Sequence, residues 1–287
     1  MPFHEILNRV LPASERTRWE TSLARNAKDF PKGYDLVREG DAPRSLHVVL
    51  SGWVQKHRQL ADGRRQILAF FLPGQICDLD LFTVMRTTSS LAVASRATVA
   101  EIGRDEASHL LAACPHLPQV LSWSEIVSSA IQAEWMTSIG QRNALERVAH
   151  LLCELYVRQH ADKRGGECDF PLTQSQMADA TGLTSVHVNR TIQHLRRRAA
   201  IEIGERRLLV PDFSALAAIG CFDPHYLHLG EAGLAIQRAA LLFRSESVSS
   251  DPFGNPRDIG RSASLKDEQR ASPPRHELSG IARPTTG

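Results

Sequence analysis

The stretch from Pro171 to Val210 leaves the chain few choices of fold, because its helix starts and turns are all written in local hydrogen-bonding residues. Thr173-Gln174-Ser175-Gln176 is a capping box: the Thr173 hydroxyl is placed for the amide of the third helical residue, and Gln176 is placed to reach back. The helix it starts runs through Met177, Ala178 and Ala180 to Gly182, where positive φ permits a sharp turn, and Thr184 caps a second helix. At about 100° per residue, Val188, Ile192 and Leu195 fall on one side of that second helix and face a core. Beyond it, Ile201-Glu202-Ile203 and Leu208-Leu209-Val210 alternate as two strands around Gly204-Glu205-Arg206-Arg207. The pattern predicts a helix-turn-helix followed by a two-stranded wing.

The polar side of the second helix carries the chemistry. Val186, Arg190, Gln193 and Arg197 cluster there, flanked by Asn189 and His194, while Ser185 and His187 sit in the first turn, the end of a recognition helix that enters deepest into a major groove. Arg bridges two guanine acceptors, Asn or Gln bridges adenine, and Val meets a thymine methyl. Ser185, Val186, His187, Asn189, Arg190 and Gln193 are therefore the candidate base readers. Thr173, Thr184, Arg197, Arg206 and Arg207 are the candidate phosphate contacts. Between residues 182 and 210 six arginines oppose two glutamates, an excess of four positive charges in a chain whose net charge is only +2. A charge run alone is usually a solvated face. Here it follows a capping box, a glycine turn, a capped second helix, an apolar stripe and a hairpin in the order a winged helix requires, and double-stranded DNA is the expected partner.

A chain of 287 residues is long enough for about two domains, and 42% hydrophobic with 23% charged residues is ordinary for a globular protein. The longest apolar runs, such as Ile67-Leu68-Ala69-Phe70-Phe71-Leu72, are of strand length, so no membrane span is expected. Met1-Pro2-Phe3-His4-Glu5 lacks the basic start and apolar stretch of a signal peptide, which predicts a cytoplasmic protein. The five cysteines, Cys77, Cys114, Cys153, Cys168 and Cys221, are odd in number and form no Cys-x-x-Cys pair, arguing against a disulfide framework, a zinc site or an iron–sulfur site. His225 and His228 are three apart but lack cysteine or carboxylate partners nearby, so no metal is expected. The chain contains no Gly-x-Ser-x-Gly, no phosphate-binding glycine loop followed by Lys, and no His-Glu-x-x-His; neither an enzyme nor a bound cofactor is expected.

The N-terminal half alternates short strand patterns with turns. Leu36-Val37, Leu46 to Leu50, Trp53-Val54-Gln55, Gln66 to Leu72, Leu91 to Ala94 and Val99 to Ile102 read as strands. Glu39-Gly40-Asp41, Ser51-Gly52, Asp62-Gly63 and Pro73-Gly74 read as turns. The spacing predicts a small antiparallel barrel or roll. From about residue 20 to about residue 228 the order of parts resembles the Crp/Fnr family of bacterial transcription regulators. Arg38-Glu39-Gly40-Asp41, Leu50-Ser51-Gly52-Trp53-Val54, Asp62 to Ile67 and Leu72-Pro73-Gly74-Gln75-Ile76 look like landmarks of its cyclic-nucleotide-binding-like roll, and Gly182-Leu183-Thr184 through Arg190 looks like its recognition segment.

The resemblance implies an α+β chain: an antiparallel β-roll over residues 20–115, a long dimerisation helix over 116–142, and a winged helix-turn-helix DNA-binding domain over 143–228. It implies a homodimer reading a palindromic operator, with RNA polymerase as a further partner. In members that bind cyclic AMP, a Gly-Glu-Leu-Gly-Leu-Phe segment and a later Arg-Ser pair cradle the cyclic phosphate. The matching stretch here is Cys77-Asp78-Leu79-Asp80-Leu81-Phe82, and Thr87-Thr88-Ser89-Ser90 stands where the Arg-Ser pair would be. Both glycines are gone, Asp80 would repel a phosphate, and Gln132-Ala133 replaces the Thr-Ser pair that receives adenine. Cyclic AMP is not the expected effector. Cys77, Asp78, Asp80 and Gln132 remain the candidate effector pocket, with Cys77 either a reactive thiol or, with at least equal weight, a packed small residue. No residue marks a haem ligand, and the N-terminal cysteine cluster of an oxygen-sensing member is absent.

In the connecting helix Leu117, Val120, Leu121, Val127, Ile131 and Trp135 recur at three- and four-residue intervals. One apolar stripe suits a symmetric helix pair, with Leu117, Leu121, Val127, Ile131 and Trp135 as the seam; packing against the chain's own roll competes for the same residues. After Leu229 the resemblance ends. Residues 230–243 read as one short amphipathic helix, and residues 244–287, rich in Ser, Pro, Arg and Asp, as a disordered tail. The rival reading is a cyclic-nucleotide-type sensor that works through protein contacts, against which the basic helix face argues.

Overall fold

The computed structural model describes residues 10–82, 84–159, 166–198 and 200–229. The short helix and disordered tail predicted over residues 230–287 lie outside the described residues.

The first part is the β-roll. Helix α1 (Ala13–Arg25) leads into β1 (Ala27–Phe30), β2 (Asp35–Val37), β3 (Ser45–Ser51), β4 (Val54–Gln59), β5 (Arg65–Phe71), β6 (Ser90–Val93) and β7 (Ala97–Gly103). They form two antiparallel sheets, ordered β1-β7-β3 and β2-β6-β4-β5. Strands β2 to β7 stand where the alternation predicts them. Strand β1 was not predicted, for a physical reason: in Ala27-Lys28-Asp29-Phe30 only Phe30 is buried, so an edge strand leaves no period-two signal. All four predicted turn glycines have positive φ. Gly52 is the tightest case, since a Cβ there would lie 2.1 Å from the Arg96 carbonyl oxygen.

Strand β3 is buried on both faces, which is why Leu46 to Leu50 reads as an unbroken apolar run. Val49 packs between the sheets with Val54, Phe71, Leu91, Val93 and Val99. Leu46 and Val48 point the other way with Ala100 and Ile102, onto Trp19 of α1 and Leu117, Val120 and Leu121 at the start of a long helix. Burying each large apolar side chain this way stabilises the fold by roughly 1.5–3 kcal/mol.

Helix α2 (Arg104–Ala113) and the long helix α3 (Leu117–Gln141) carry the chain to the second part. Asn143 then caps α4 (Ala144–Gln159), its Oδ1 accepting from the amides of Leu145 and Glu146 at 3.0 and 3.1 Å. Strand β8 (Gly166–Asp169), α5 (Gln174–Thr181), α6 (Ser185–Arg197), β9 (Glu202–Gly204), β10 (Arg207–Val210) and α7 (Phe213–Gly220) follow, then a 3₁₀ turn over Pro224–Leu227. The wing is three-stranded, ordered β8-β10-β9, where the sequence predicted two strands. Its third strand has a readable signal: Glu167, Cys168, Asp169 and Phe170 alternate exposed, buried, exposed, buried.

The two parts share one core. Trp53 lies 6.1 Å from Phe70 and 6.4 Å from Phe170 between ring centroids, and Phe70 lies 5.9 Å from Trp135. A buried polar hub reinforces it. The Glu154 carboxylate accepts from Trp135 Nε1 at 2.8 Å, the Tyr226 hydroxyl at 2.9 Å and Arg158 at 3.0 Å. Arg158 also donates to the Phe70 carbonyl at 2.6 Å and to Gln75 Oε1 at 2.7 Å. A fully buried carboxylate is costly unless it is paired and hydrogen-bonded, and here its partners come from α3, α4 and the last turn, with the roll one residue further on.

Candidate nucleic-acid interface

Local hydrogen bonds set the two interface helices. Thr173 Oγ1 accepts from the Gln176 amide at 3.2 Å, and Gln176 Oε1 accepts from the Thr173 amide at 2.9 Å, closing the capping box at the start of α5. Gly182 ends α5 in the left-handed region, at φ +64°. Thr184 then caps α6, its hydroxyl accepting from the His187 amide at 3.2 Å. One anchor of this turn was not read from the sequence. Arg147 of α4 donates to the Thr181 carbonyl at 2.7 Å, to Ile139 at 2.9 Å and to Arg142 at 3.0 Å, fixing the end of α5 to the end of α3.

On α6, Val188, Thr191, Ile192 and Leu195 are buried, as the stripe requires. Ser185, Val186, His187, Arg190, Gln193 and Arg197 are exposed, with Val186 at 63%, among the most exposed large apolar side chains described. An isolated apolar side chain held in water on a cationic helix face is placed for a methyl group rather than for the core. Asn189 is half-buried and donates to Gln174 Oε1 at 3.1 Å, so part of its capacity is committed to holding α6 against α5. Arg196 donates to the Ile203 carbonyl and ties the helix to the wing.

The wing tip is tighter than predicted. Glu205 and Arg206 have φ of +48° and +63° and form a two-residue turn between paired Gly204 and Arg207. Thr173 and Thr184 are exposed at the helix starts and Arg206 at the tip. Arg207 belongs to β10 instead, where it meets Glu167 at 2.9 Å and Asp169 at 2.5 Å. Two carboxylates of the unpredicted strand β8 therefore compete with phosphate for Arg207, whose side chain stays 45% exposed.

The long helix also departs from expectation. Leu117, Leu121, Ile131 and Trp135 are 1%, 7%, 6% and 7% exposed within the single chain, and Val127 packs against the same core. Their assignment to a seam between two copies is corrected, since the chain's own roll and α4 cover them. The opposite face is bare. Ser122, Ile126, Ser129, Ala133, Met136 and Gly140 are all exposed, spaced alternately four and three apart, without a charge among them. Ile126 is 60% and Met136 71% exposed.

The four candidate pocket residues do not form a cradle. Cys77 is buried, and burial, then the neighbouring Asp78, push its thiol well above the ordinary range, so it is the packed residue and not the reactive one. Asp78 is buried beside His47, with 3.4 Å between Oδ2 and Nδ1. His47 lies 3.6 Å from Glu101, directly across the β3–β7 ladder, and Lys28 holds Glu101 at 2.7 Å. Burial disfavours the imidazolium, but Asp78 and Glu101 outweigh it and raise the His47 pKa to about 9. The Glu101 carboxyl is lowered to about 2, first by His47. The chain's own charged groups thus run from buried Asp78 and His47 through half-buried Glu101 to exposed Lys28. Asp80 is half-buried in a 3₁₀ turn and Gln132 is exposed on α3. None of the four lines the cavity of about 60 Å³ between β5, α3 and Arg158.

Among the described residues no helix is long and apolar enough to cross a membrane, and no group of His, Cys, Asp or Glu is gathered as for a metal ion.

Known proteins agree with this architecture. Residues 27–114 match the model of the cyclic nucleotide-binding domain, and residues 146–219 that of the Crp-like helix-turn-helix domain. The nitrogen fixation regulation protein FixK of Azorhizobium caulinodans is 32% identical over 198 residues, covering 68% of this chain and 76% of that protein. The transcriptional activator protein FnrL of Cereibacter sphaeroides is 28% identical over 200 residues, covering 66% and 78%. Among solved structures, FixK2 from Bradyrhizobium japonicum shares the fold with a TM-score of 0.61 at 22% identity, over 69% of this chain and 98% of that one. With its cyclic-nucleotide-binding-like roll and its winged helix-turn-helix, the chain belongs to the Crp/Fnr family and is a DNA-binding transcription regulator.

Proposed function

We propose that the protein acts as a homodimer that seats two copies of α6 in successive major grooves of a two-fold palindromic operator. The observation that carries this reading is the exposed face of α6, a rigid cationic surface held by two caps and by Arg147 and Arg196. Ser185, Val186, His187, Arg190 and Gln193 face the base edges, with Arg190 reading guanine and Val186 a thymine methyl. Asn189 joins them with one hand on Gln174. Thr173, Thr184, Arg197 and Arg206 face phosphates. One such helix reads too few bases for genomic specificity, and a dimer reads paired half-sites one helical turn apart. The uncharged face of α3 from Ser122 to Gly140 supports the pairing of copies, because its spacing of four and three is that of a two-helix seam, and small residues let the helices approach.

The effector is not cyclic AMP. The segment where a phosphate cradle would lie holds buried Cys77 and Asp78, with buried His47 and half-buried Glu101 beside them. At a promoter in the cytoplasm, a dimer of this build acts through RNA polymerase. Selection of bound duplexes from a random pool, together with genome-wide mapping of bound sites, tests the reading. A two-fold symmetric motif with a guanine in each half-site is expected; an asymmetric motif or none overturns it.

A further inference from the structure

One side chain of α5 reaches the reading face of α6. Gln174, the first residue of α5, is exposed beside Thr173, and its Oε1 accepts from Asn189 Nδ2 at 3.1 Å across the turn between the helices. Asn189 is half-buried, stands next to Arg190 and lies one helical turn from Val186, so it borders the readers of guanine and of a thymine methyl. Among the described residues, Gln174 Nε2 and Asn189 Oδ1 meet no other protein group. A side-chain amide has one accepting and one donating end, and this bond sets the orientation of both amides. Gln174 turns its oxygen inward and its N–H groups outward, while Asn189 turns one N–H toward Gln174 and keeps Oδ1 and its second N–H.

We propose that Gln174 is the positioning residue for Asn189, and that the pair makes this protein select an adenine beside the guanine read by Arg190. The inference rests on the reading that α6 enters the major groove with Thr173 on the adjacent phosphate. A phosphate only accepts hydrogen bonds, so a Gln174 amide beside it offers Nε2 outward and Oε1 toward Asn189. Asn189 must answer with an N–H. What it has left is its second N–H and the acceptor Oδ1, the two-point pattern that matches N7 and N6 of adenine. Rotated by half a turn, the same amide would put its oxygen against Gln174 Oε1, two acceptors face to face. The acceptor-only chemistry of the DNA backbone is thus passed through Gln174 and fixes which base Asn189 reads, although Gln174 itself touches no base.

The test uses the full chain, the operator obtained by selection, and a duplex in which the A·T pair beside the guanine is replaced by G·C in one half-site. Anisotropy titrations compare the unmodified protein with Asn189→Ala, Gln174→Ala and Gln174→Glu. The unmodified protein should lose about 10- to 100-fold in affinity on the altered duplex, and Asn189→Ala should bind the two duplexes alike. Gln174→Ala should cut the discrimination by roughly two- to ten-fold while leaving the preference for guanine intact, which also shows the variant to be folded. Gln174→Glu keeps the acceptor and loses the donor, so it should bind all sequences more weakly yet discriminate as the unmodified protein does. A residue that only packed α5 on α6 would weaken both duplexes alike in either variant. A selected operator without that adenine, discrimination that survives Asn189→Ala or stays complete in Gln174→Ala, or its loss in Gln174→Glu overturns the proposal. A guanine preference that survives Arg190→Ala would instead overturn the reading of α6.

Discussion

Gln176 and Gln55, which stand 121 positions apart, are joined by a buried hydrogen bond: Gln176 Nε2 donates to Gln55 Oε1 at 3.0 Å. The other end of the same Gln176 amide accepts from Thr173 and completes the capping box. A single side chain thus both starts the first helix of the DNA-binding part and docks it on the roll. Beside it, Arg65 makes two bonds to Asp179 at 2.6 and 2.8 Å, and Gln66 donates to the Ala180 carbonyl at 3.3 Å.

Replacing Gln55 with Ala should leave α5 capped and strand only one N–H of the Gln176 amide, whose nitrogen still donates to the Ala94 carbonyl at 3.3 Å, so the cost should sit near the low end of about 1–3 kcal/mol. Gln176→Ala should cost more, because it also removes a cap worth about 1 kcal/mol. Urea denaturation of both variants checks the order. Equal losses would show that the capping half of Gln176 contributes nothing.

The bare face of α3 makes a prediction opposite to that of its buried stripe. Ile126→Glu with Met136→Glu should give a folded monomer of nearly unchanged stability and weakened operator binding, since both side chains are exposed in the single chain. Ile131→Asp should instead unfold the protein, because it buries an unpaired charge. Light scattering and thermal denaturation separate the two. A dimer that survives the double glutamate substitution rules this face out as the seam.

Three arginines close together in sequence should behave in three ways. Arg190→Ala should weaken the selected operator about 10- to 100-fold for each half-site and flatten preference at one base pair of each, the loss of one bidentate guanine contact being roughly 1–3 kcal/mol. Arg206→Ala should weaken all sequences alike and lower the salt slope of the dimer by about 1.8, one phosphate contact being lost in each copy. Arg207→Ala should leave the slope alone, since Glu167 and Asp169 already hold that guanidinium. Titrations over a range of salt, on operator and on scrambled duplex, read all three.

The buried charges of the roll impose a pH dependence. His47 is raised from 6.5 to about 9, so its contribution to stability is full below about pH 6.5 and is lost as pH rises through about 9. Glu101 is lowered from 4.5 to about 2, so its contribution is full above about pH 4.5 and is lost as pH falls through about 2. His57 and His150 are held below their ordinary value, first by burial, and lower stability only on the acid side of 6.5. Denaturation midpoints should therefore fall between about pH 6.5 and 9, and His47→Gln should abolish that fall. If the variant retains it, the His47, Asp78 and Glu101 cluster is not its source.

The sequence by itself determined whatever is decided within three or four residues. The Thr173 and Thr184 caps, the left-handed Gly182, the turns at Gly40, Gly52, Gly63 and Gly74, and the alternation of β2 to β7 are local, because a cap reaches one helical turn and a strand shows its period over a few residues. Periodicity also showed that Val188, Ile192 and Leu195 are inside. Only the tertiary structure decided what covers an apolar stripe. Leu117, Ile131 and Trp135 repeat at the interval of a helix pair, but surfaces from the roll and from α4 cover them, and periodicity carries no record of whether the cover comes from the same chain or another copy. The partners of Arg207, the burial of Cys77 and the bond from Gln176 to Gln55 are likewise set by strands and helices distant in sequence. Local hydrogen bonds fix each element; packing alone chooses which face of it remains for DNA or for a second copy.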